Sequence, residues 1–292
     1  MDEQQDQLAF IGFGEAARAF ATDWTGKRSG AMAAYDIKMD ETSTRSAMLA
    51  ACDALGVEPA EGPDGAMRRA AAVFCLVTAD QALEAARAAA PHLRSGTLWL
   101  DGNSCAPQTK TAAAEVIGAA GGIYVDMAIM APVHPLRTRV PLLLSGPDLA
   151  SALEWLERLG MSARTVGDRV GEASAIKMIR SVMIKGFEAL CAECFLAARR
   201  AGVEAAVLAS LQASDPEVDW QRRGAYNLER MMMHGARRAA EMREVTATVA
   251  NFGLPAAMSA ATADWQDRVA ALGLEPGPPD LVARADAILG RL

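Results

Sequence analysis

The chain has 292 residues, about twice the usual domain, so two domains with sizeable cores are expected and a small disulfide- or metal-stapled module is excluded. Of these residues 51% are hydrophobic but only 5% aromatic, which favours helices packed through alanine, leucine, valine and methionine and argues against an all-β fold. Twenty-nine basic against 36 acidic residues give a net charge of −7, with no basic tract to neutralise a row of phosphates, so nucleic acid is not the expected partner.

The chain starts with the polar, acidic stretch MDEQQDQ, unlike the basic start of a signal peptide. No apolar run reaches the roughly 20 residues that span a bilayer, so a cytoplasmic chain with no membrane partner is expected. From residue 8 to about 165, short apolar runs (8–12, 31–36, 72–77, 97–101, 122–126 and 140–145) alternate with helical stretches. This alternation predicts parallel strands joined by right-handed crossovers, a doubly wound α/β domain over 1–166.

Between the first run and its helix lies Gly12-Phe13-Gly14-Glu15-Ala16-Ala17, a Gly-x-Gly-x-x-Ala pattern. Gly12 permits the tight turn, Gly14 leaves room for a pyrophosphate on the helix N-terminal amides, and Ala17 lets helix and strand pack closely. Asp36 closes the second run, where a carboxylate can accept from the adenosine ribose hydroxyls. This favours NAD, although Lys27, Arg28 and Lys38 nearby leave NADP open. Thr78, at the end of the 72–77 run, either touches the nicotinamide half of the cofactor or belongs to a helix cap with Asp80.

After residue 167 the pattern becomes helical throughout. A long helix is predicted over 168–202, then helices at 204–212, 217–226, 228–251, 256–271 and 280–289, making 167–292 an all-α domain. The five cysteines (Cys52, Cys75, Cys105, Cys191 and Cys194) have no metal-site companions and are read as reduced thiols, so no metal is expected.

Three further segments carry chemistry: Leu100-Asp101-Gly102-Asn103-Ser104-Cys105-Ala106-Pro107, the glycine-containing stretch 167–177 that ends on Lys177, and Asp126-Met127-Ala128-Ile129-Met130-Ala131-Pro132. A lysine at the start of a helix is suited to proton transfer, because the helix N-terminus and desolvation both lower an ammonium pKa; the other reading of Lys177 is a snorkelling surface lysine. Together with the glycine-rich turn, these segments give a chain that resembles the β-hydroxyacid dehydrogenase superfamily, which includes 3-hydroxyisobutyrate and 6-phosphogluconate dehydrogenases, along nearly its whole length.

The resemblance implies a Rossmann domain, a long connecting helix and a helical substrate and dimerisation domain, with the active site at their junction. It implies Lys177 as the catalytic acid or base and Asn103 and Ser104 as substrate contacts, with helix capping as their other reading. Ser181, four residues after Lys177, stands where relatives carry asparagine. The family's Ser-Gly-Gly carboxylate cradle is replaced by Met130, Ala131 and Pro132, and proline lacks an amide donor. Met130 enters the substrate set by position, with core packing as its alternative. The Ala-Ile-Met-Ala run is similar to that of imine reductases, which usually lack the lysine retained here.

Arg137, Arg139 or Arg237 can bind an anionic substrate group in place of the lost cradle. Alternatively His234, Arg237, Arg238 and Glu241 form a solvated face with an Arg237–Glu241 ion pair. The expectation is therefore an NAD(P)-dependent dehydrogenase or reductase acting on the alcohol or carbonyl of a small polar, hydroxy-acid-like substrate, working as a homodimer. An imine reductase is the nearer alternative and a non-catalytic dinucleotide-binding regulator the more distant one.

Overall fold

The computed structural model describes residues 7–26 and 31–292; Lys27 and Arg28 lie outside the described residues. The chain divides into two compact units, 1–177 and 178–292.

The first unit is built on an eight-stranded sheet. Along the chain it runs β1 (Gln7–Ile11), α1 (Glu15–Trp24), β2 (Met32–Tyr35), α2 (Thr42–Asp53), β3 (Glu58–Pro59), α3 (Pro63–Met67), β4 (Ala70–Cys75) and α4 (Ala82–Ala89). Then come β5 (Leu98–Asp101), α5 (Pro107–Ala119), β6 (Ile123–Ile129), β7 (Leu142–Ser145), α6 (Ala150–Arg158), β8 (Ala163–Gly167) and the start of α7 (Glu172–Arg200). The strand order is β3-β2-β1-β4-β5-β6-β7-β8.

β1 is buried on both faces, as a central parallel strand must be. Leu8 and Phe10 join one core with Phe13, Phe20, Trp24 and Phe74, whereas Ala9 and Ile11 join a second with Val73, Cys75 and Trp99. An aromatic cluster fills the first of these cores, where Phe10 packs against Phe13, Trp24 and Phe74.

The sheet is not wholly parallel: β6 pairs with β7 antiparallel, Asp126 opposite Ser145 and Ile129 opposite Leu142. A parallel crossover needs a dozen or more residues and usually a helix. The connection through 130–141 carries Pro132, Pro135 and Pro141 and forms only the single 3₁₀ turn Arg137–Arg139. Two strands outside the predicted runs, β3 and β8, extend the sheet at its two edges.

The second unit holds α7 from residue 178, α8 (Glu204–Ser214), α9 (Trp220–Asn251), α10 (Ala257–Ala271) and α11 (Leu281–Leu289). Phe195, Leu228, Met231, Val269, Leu281 and Ile288 meet in its core. The two helices expected at 217–226 and 228–251 are one continuous α9. Asn227 remains helical because its amide is buried and donates to Cys191 Sγ at 3.1 Å, while Asp219 caps the start by accepting from Arg222 N–H. The long helix expected from residue 168 begins at Glu172. Gly171 just before it has φ +98°, and a Cβ there would come within 3.1 Å of Pro107.

Candidate active site

Strands β1, β2, β4, β5 and β6 are parallel neighbours, so their carboxyl ends lie along one edge of the sheet, where open α/β sheets bind ligands. The glycine-rich turn follows β1. Gly12 adopts φ +86°, and a Cβ there would lie 2.5 Å from Leu76 O, so only glycine fits. Its N–H donates to Tyr35 O at 2.8 Å, joining the turn to β2.

At Gly14 a Cβ would meet nothing within 4 Å, so the space above the α1 N-terminus is open. No side chain caps that helix, and Ala17 is fully buried against the sheet. Asp36, at the end of β2, accepts from Phe13 N–H at 2.7 Å and from Lys38 N–H at 3.0 Å. Each carboxylate oxygen therefore has accepting capacity left for a ribose hydroxyl. An open helix N-terminus beside a fixed carboxylate fits the pyrophosphate and adenosine ribose of a dinucleotide. Thr78 is exposed and precedes a short turn; the side chains of Gln81 and Thr78 hydrogen-bond the Asp80 carboxylate and hold it below its ordinary pKa.

The segment after β5 divides its polar groups between two tasks. Asn103 is buried: its carbonyl oxygen accepts from Val77 N–H at 2.7 Å and its amide donates to Cys75 Sγ at 3.2 Å, so it ties the β4 and β5 turns together. Ser104, half-buried, accepts from Lys177 Nζ at 2.5 Å. Lys177 is itself half-buried in the second turn of α7. The thiol of Cys75 is pushed up by burial and by Asp101, which keeps it protonated beside Asn103.

Beneath this pair lies a charged group that the sequence reading did not find. Lys110 is fully buried, 2.9 Å from Asp101 Oδ1 and 3.4 Å from Asp126 Oδ1, and also donates to Asp101 O at 2.6 Å. Burial lowers the pKa of its ammonium, but Asp101 and Asp126 more than offset this and leave it raised. Tyr124 donates to Asp101 Oδ2 at 2.6 Å, and its phenol is pushed up by burial and by that carboxylate. Asp126 in turn accepts from Gly171 N–H, Ser174 N–H, Ser174 Oγ and Ser145 Oγ, and Ser145 Oγ accepts from Ala173 N–H. The α7 amides are thus capped by side chains from β6 and β7. One signal in the sequence was available: Lys110 shares a helical stripe with Ala113 and Ile117, both buried.

Met130 is half-buried, donates its N–H to Pro141 O and packs with Ala128, Leu143 and Ala173. Arg137 pairs with Asp23 in the last turn of α1 at 3.0 Å, and Thr138 donates to the same carboxylate. Arg139 is exposed.

In the second unit, Ser181 is buried and accepts from Lys185 Nζ at 3.1 Å, while Lys185 pairs with Glu241 at 2.9 Å. Arg237 also pairs with Glu241, the i,i+4 pair expected on a solvated face. Arg238 differs from its neighbour: it is buried and bidentate on Glu188, which also accepts from Gln266. Among the described residues there is no cluster of metal-ligating side chains, and no helix is long and apolar enough to cross a membrane.

Comparison with known proteins agrees with this geometry. The model of the NAD binding domain of 6-phosphogluconate dehydrogenase matches residues 7–146, and a domain of unknown function (DUF1932) matches 198–269. A conserved hypothetical protein from Sinorhizobium meliloti is 38% identical, covers 99% of this chain and 97% of its own, and superimposes with a TM-score of 0.77. A conserved protein of unknown function, described as structurally similar to 3-hydroxyacid dehydrogenases, is 30% identical over 90% of this chain and 96% of its own, with a TM-score of 0.68. The 3-hydroxyisobutyrate dehydrogenase of Mycobacterium tuberculosis, solved with L-serine, shares the fold at 16% identity over 97% of this chain and 98% of its own, with a TM-score of 0.73. An α/β Rossmann domain that binds NAD(P), followed by an all-helical region and matched over nearly its whole length by relatives of this kind, places the chain in the β-hydroxyacid dehydrogenase superfamily.

Proposed function

We propose that the protein transfers hydride between NAD(P), with NAD preferred, and the alcohol or carbonyl of a small polar, hydroxy-acid-like substrate, using Lys177 as the proton donor or acceptor. The observation that carries this reading is the 2.5 Å hydrogen bond from Lys177 Nζ to Ser104 Oγ, on the sheet edge that also holds Gly12, Gly14 and Asp36. Asp36 supports NAD, because a fixed carboxylate beside the turn repels a 2′-phosphate.

Gly14 and the α1 amides hold the pyrophosphate, and Asp36 the adenosine ribose. The bound nicotinamide supplies or accepts the hydride. Lys177 as ammonium gives a proton to the substrate oxygen during reduction, and as amine takes it during oxidation. Ser104 holds the lysine and presents its own hydroxyl to the same oxygen, while Met130 borders the substrate.

Turnover of hydroxy acids and their carbonyl counterparts, followed at the nicotinamide absorbance with both cofactors, tests the reading. Lys177→Ala is expected to lower kcat by about a hundredfold or more with cofactor affinity retained. One observation favours a second reading. Met130 is packed among apolar side chains and Pro132 offers no N–H, an apolar lining suited to cyclic imines. Activity confined to imines would replace the hydroxy-acid reading.

We further propose a homodimer built through residues 167–292. Its support is an apolar stripe left exposed on α7, with Ile179, Met183 and Leu190 each at least half exposed. Sedimentation showing only monomer at micromolar concentration overturns it.

A further inference from the structure

Lys177 and Ser104 reach each other from segments far apart in the chain, and both segments are anchored to one buried charged triad. On the Ser104 side, Asp101 Oδ1 accepts from Asn103 N–H at 2.9 Å and from Lys110 Nζ at 2.9 Å, which fixes the turn immediately before Ser104. On the Lys177 side, Asp126 accepts from Gly171 N–H at 3.1 Å, Ser174 N–H at 3.0 Å and Ser174 Oγ at 2.6 Å, which fixes the turn of α7 immediately before Lys177. Lys110 bridges the two carboxylates, and all three charged side chains are fully buried.

Like any α-helix, α7 leaves its first backbone N–H groups without partners inside the helix. Gly171 offers no side chain to cap it, so β6 supplies the carboxylate and β7 the Ser145 hydroxyl. Burying two carboxylates around one ammonium is costly compared with packing apolar side chains there, and a residual negative charge inside a protein demands the many donors that Asp126 receives. What the arrangement provides is a fixed geometry between two loops on the ligand-binding edge.

The geometry points to Asp126 and Ser174 as positioning residues for Lys177, with Lys110 coupling them to the Ser104 turn. The inference rests on the reading of Lys177 given above. Asp126 touches no reacting atom; its effect passes through the first turn of α7.

The test compares Ser174→Ala, Ser174→Thr, Asp126→Asn and Lys177→Ala in the full chain with NADH bound. Ser174→Ala removes one hydroxyl and leaves the charges in place, so it is expected to fold and to bind NADH within about twofold of the parent, since the glycine-rich turn is untouched. The amides of residues 171–177 should exchange with deuterium about tenfold faster, and kcat should fall about tenfold or more with KM nearly unchanged. Ser174→Thr keeps the hydroxyl and should recover most of both, whereas Asp126→Asn should lose more than Ser174→Ala.

If Lys177→Ala is inactive while Ser174→Ala and Asp126→Asn keep the parent kcat, the positioning role is overturned and the lysine reading stands. If exchange quickens without any loss of kcat, the role is likewise overturned, because the anchor is then only structural. If Lys177→Ala itself retains full turnover, the lysine reading falls and the inference falls with it.

Discussion

Asp36 Oδ2 accepts the Phe13 N–H at 2.7 Å, so the carboxylate proposed to bind the adenosine ribose also fixes the middle of the glycine-rich turn. Replacing it with alanine removes a charge-assisted bond and a negative charge together. Asp36→Ala is expected to weaken NADH binding by about tenfold or more while weakening NADPH far less, shifting the preference toward the phosphorylated cofactor. Nicotinamide fluorescence titrations with the two cofactors measure both effects; equal losses for the two would show that Asp36 only shapes the turn.

The two glycines of the turn predict opposite outcomes for the same substitution. A Cβ at Gly12 collides with backbone, 2.5 Å from Leu76 O, and the backbone is in the left-handed region. Gly12→Ala should therefore cost about 2 kcal/mol or more in stability and lower the melting temperature. A Cβ at Gly14 meets nothing of the protein. Gly14→Ala should melt with the parent yet bind NADH at least about tenfold more weakly, because the methyl would enter the space proposed for the pyrophosphate. Thermal melts and cofactor titrations on the pair separate a structural glycine from a ligand-binding one.

These features were legible because they are local. β1, the turn, α1 and the end of β2 lie within a few tens of residues, and the residue types needed there have few substitutes. β3 is two residues long, too short to show any alternation, and β8 is an edge strand whose Arg164 and Thr165 are exposed. The antiparallel β6–β7 pairing follows from what the intervening segment lacks, a helix. Asn227 resembles a helix break until its buried amide finds Cys191. Lys110 was hidden for a different reason: a lysine on an α5 face tells nothing of Asp101 and Asp126, which meet it only because β5 and β6 are neighbours in the sheet. The glycine-rich stretch before Lys177 drew attention to the lysine, while the group that holds it is non-local.

Lys110 also predicts how stability changes in alkali. Its pKa is raised in the folded state above the ordinary 10.5, and that of Tyr124 is raised above the ordinary 10.0. Above pH of about 10 the unfolded chain therefore releases protons that the folded chain keeps, so the unfolded state binds fewer protons and stability falls as pH rises. The contribution is fully present below pH 10 and is lost as the pH climbs toward the folded-state values. Urea unfolding between pH 8 and 11 should show this decline, and Tyr124→Phe should make it shallower. Lys110→Met leaves Asp101 and Asp126 buried without their cation and should cost about 3–5 kcal/mol near neutral pH.

Adjacent arginines on α9 give a final contrast. Arg237 and Arg238 are sequence neighbours, but helical geometry turns them to different faces. Arg237 is half exposed and shares Glu241 with Lys185, so removing it leaves the Lys185–Glu241 pair intact. Arg237→Ala should cost less than about 1 kcal/mol. Arg238 is buried on Glu188, and Gln266 alone cannot neutralise that carboxylate once the guanidinium is gone. Arg238→Ala should cost about 3–5 kcal/mol. Arg238→Lys should recover only part of this, because an ammonium cannot reproduce the two parallel hydrogen bonds of the guanidinium. Denaturant unfolding of the three variants measures the differences. A full loss in Arg237→Ala, or a mild one in Arg238→Ala, would reverse the roles assigned to the two faces. The same series bears on substrate binding: an anion contact by Arg237 would appear as a raised KM in a variant whose stability is unchanged, whereas Arg238 acts through the fold and loses stability before it loses affinity.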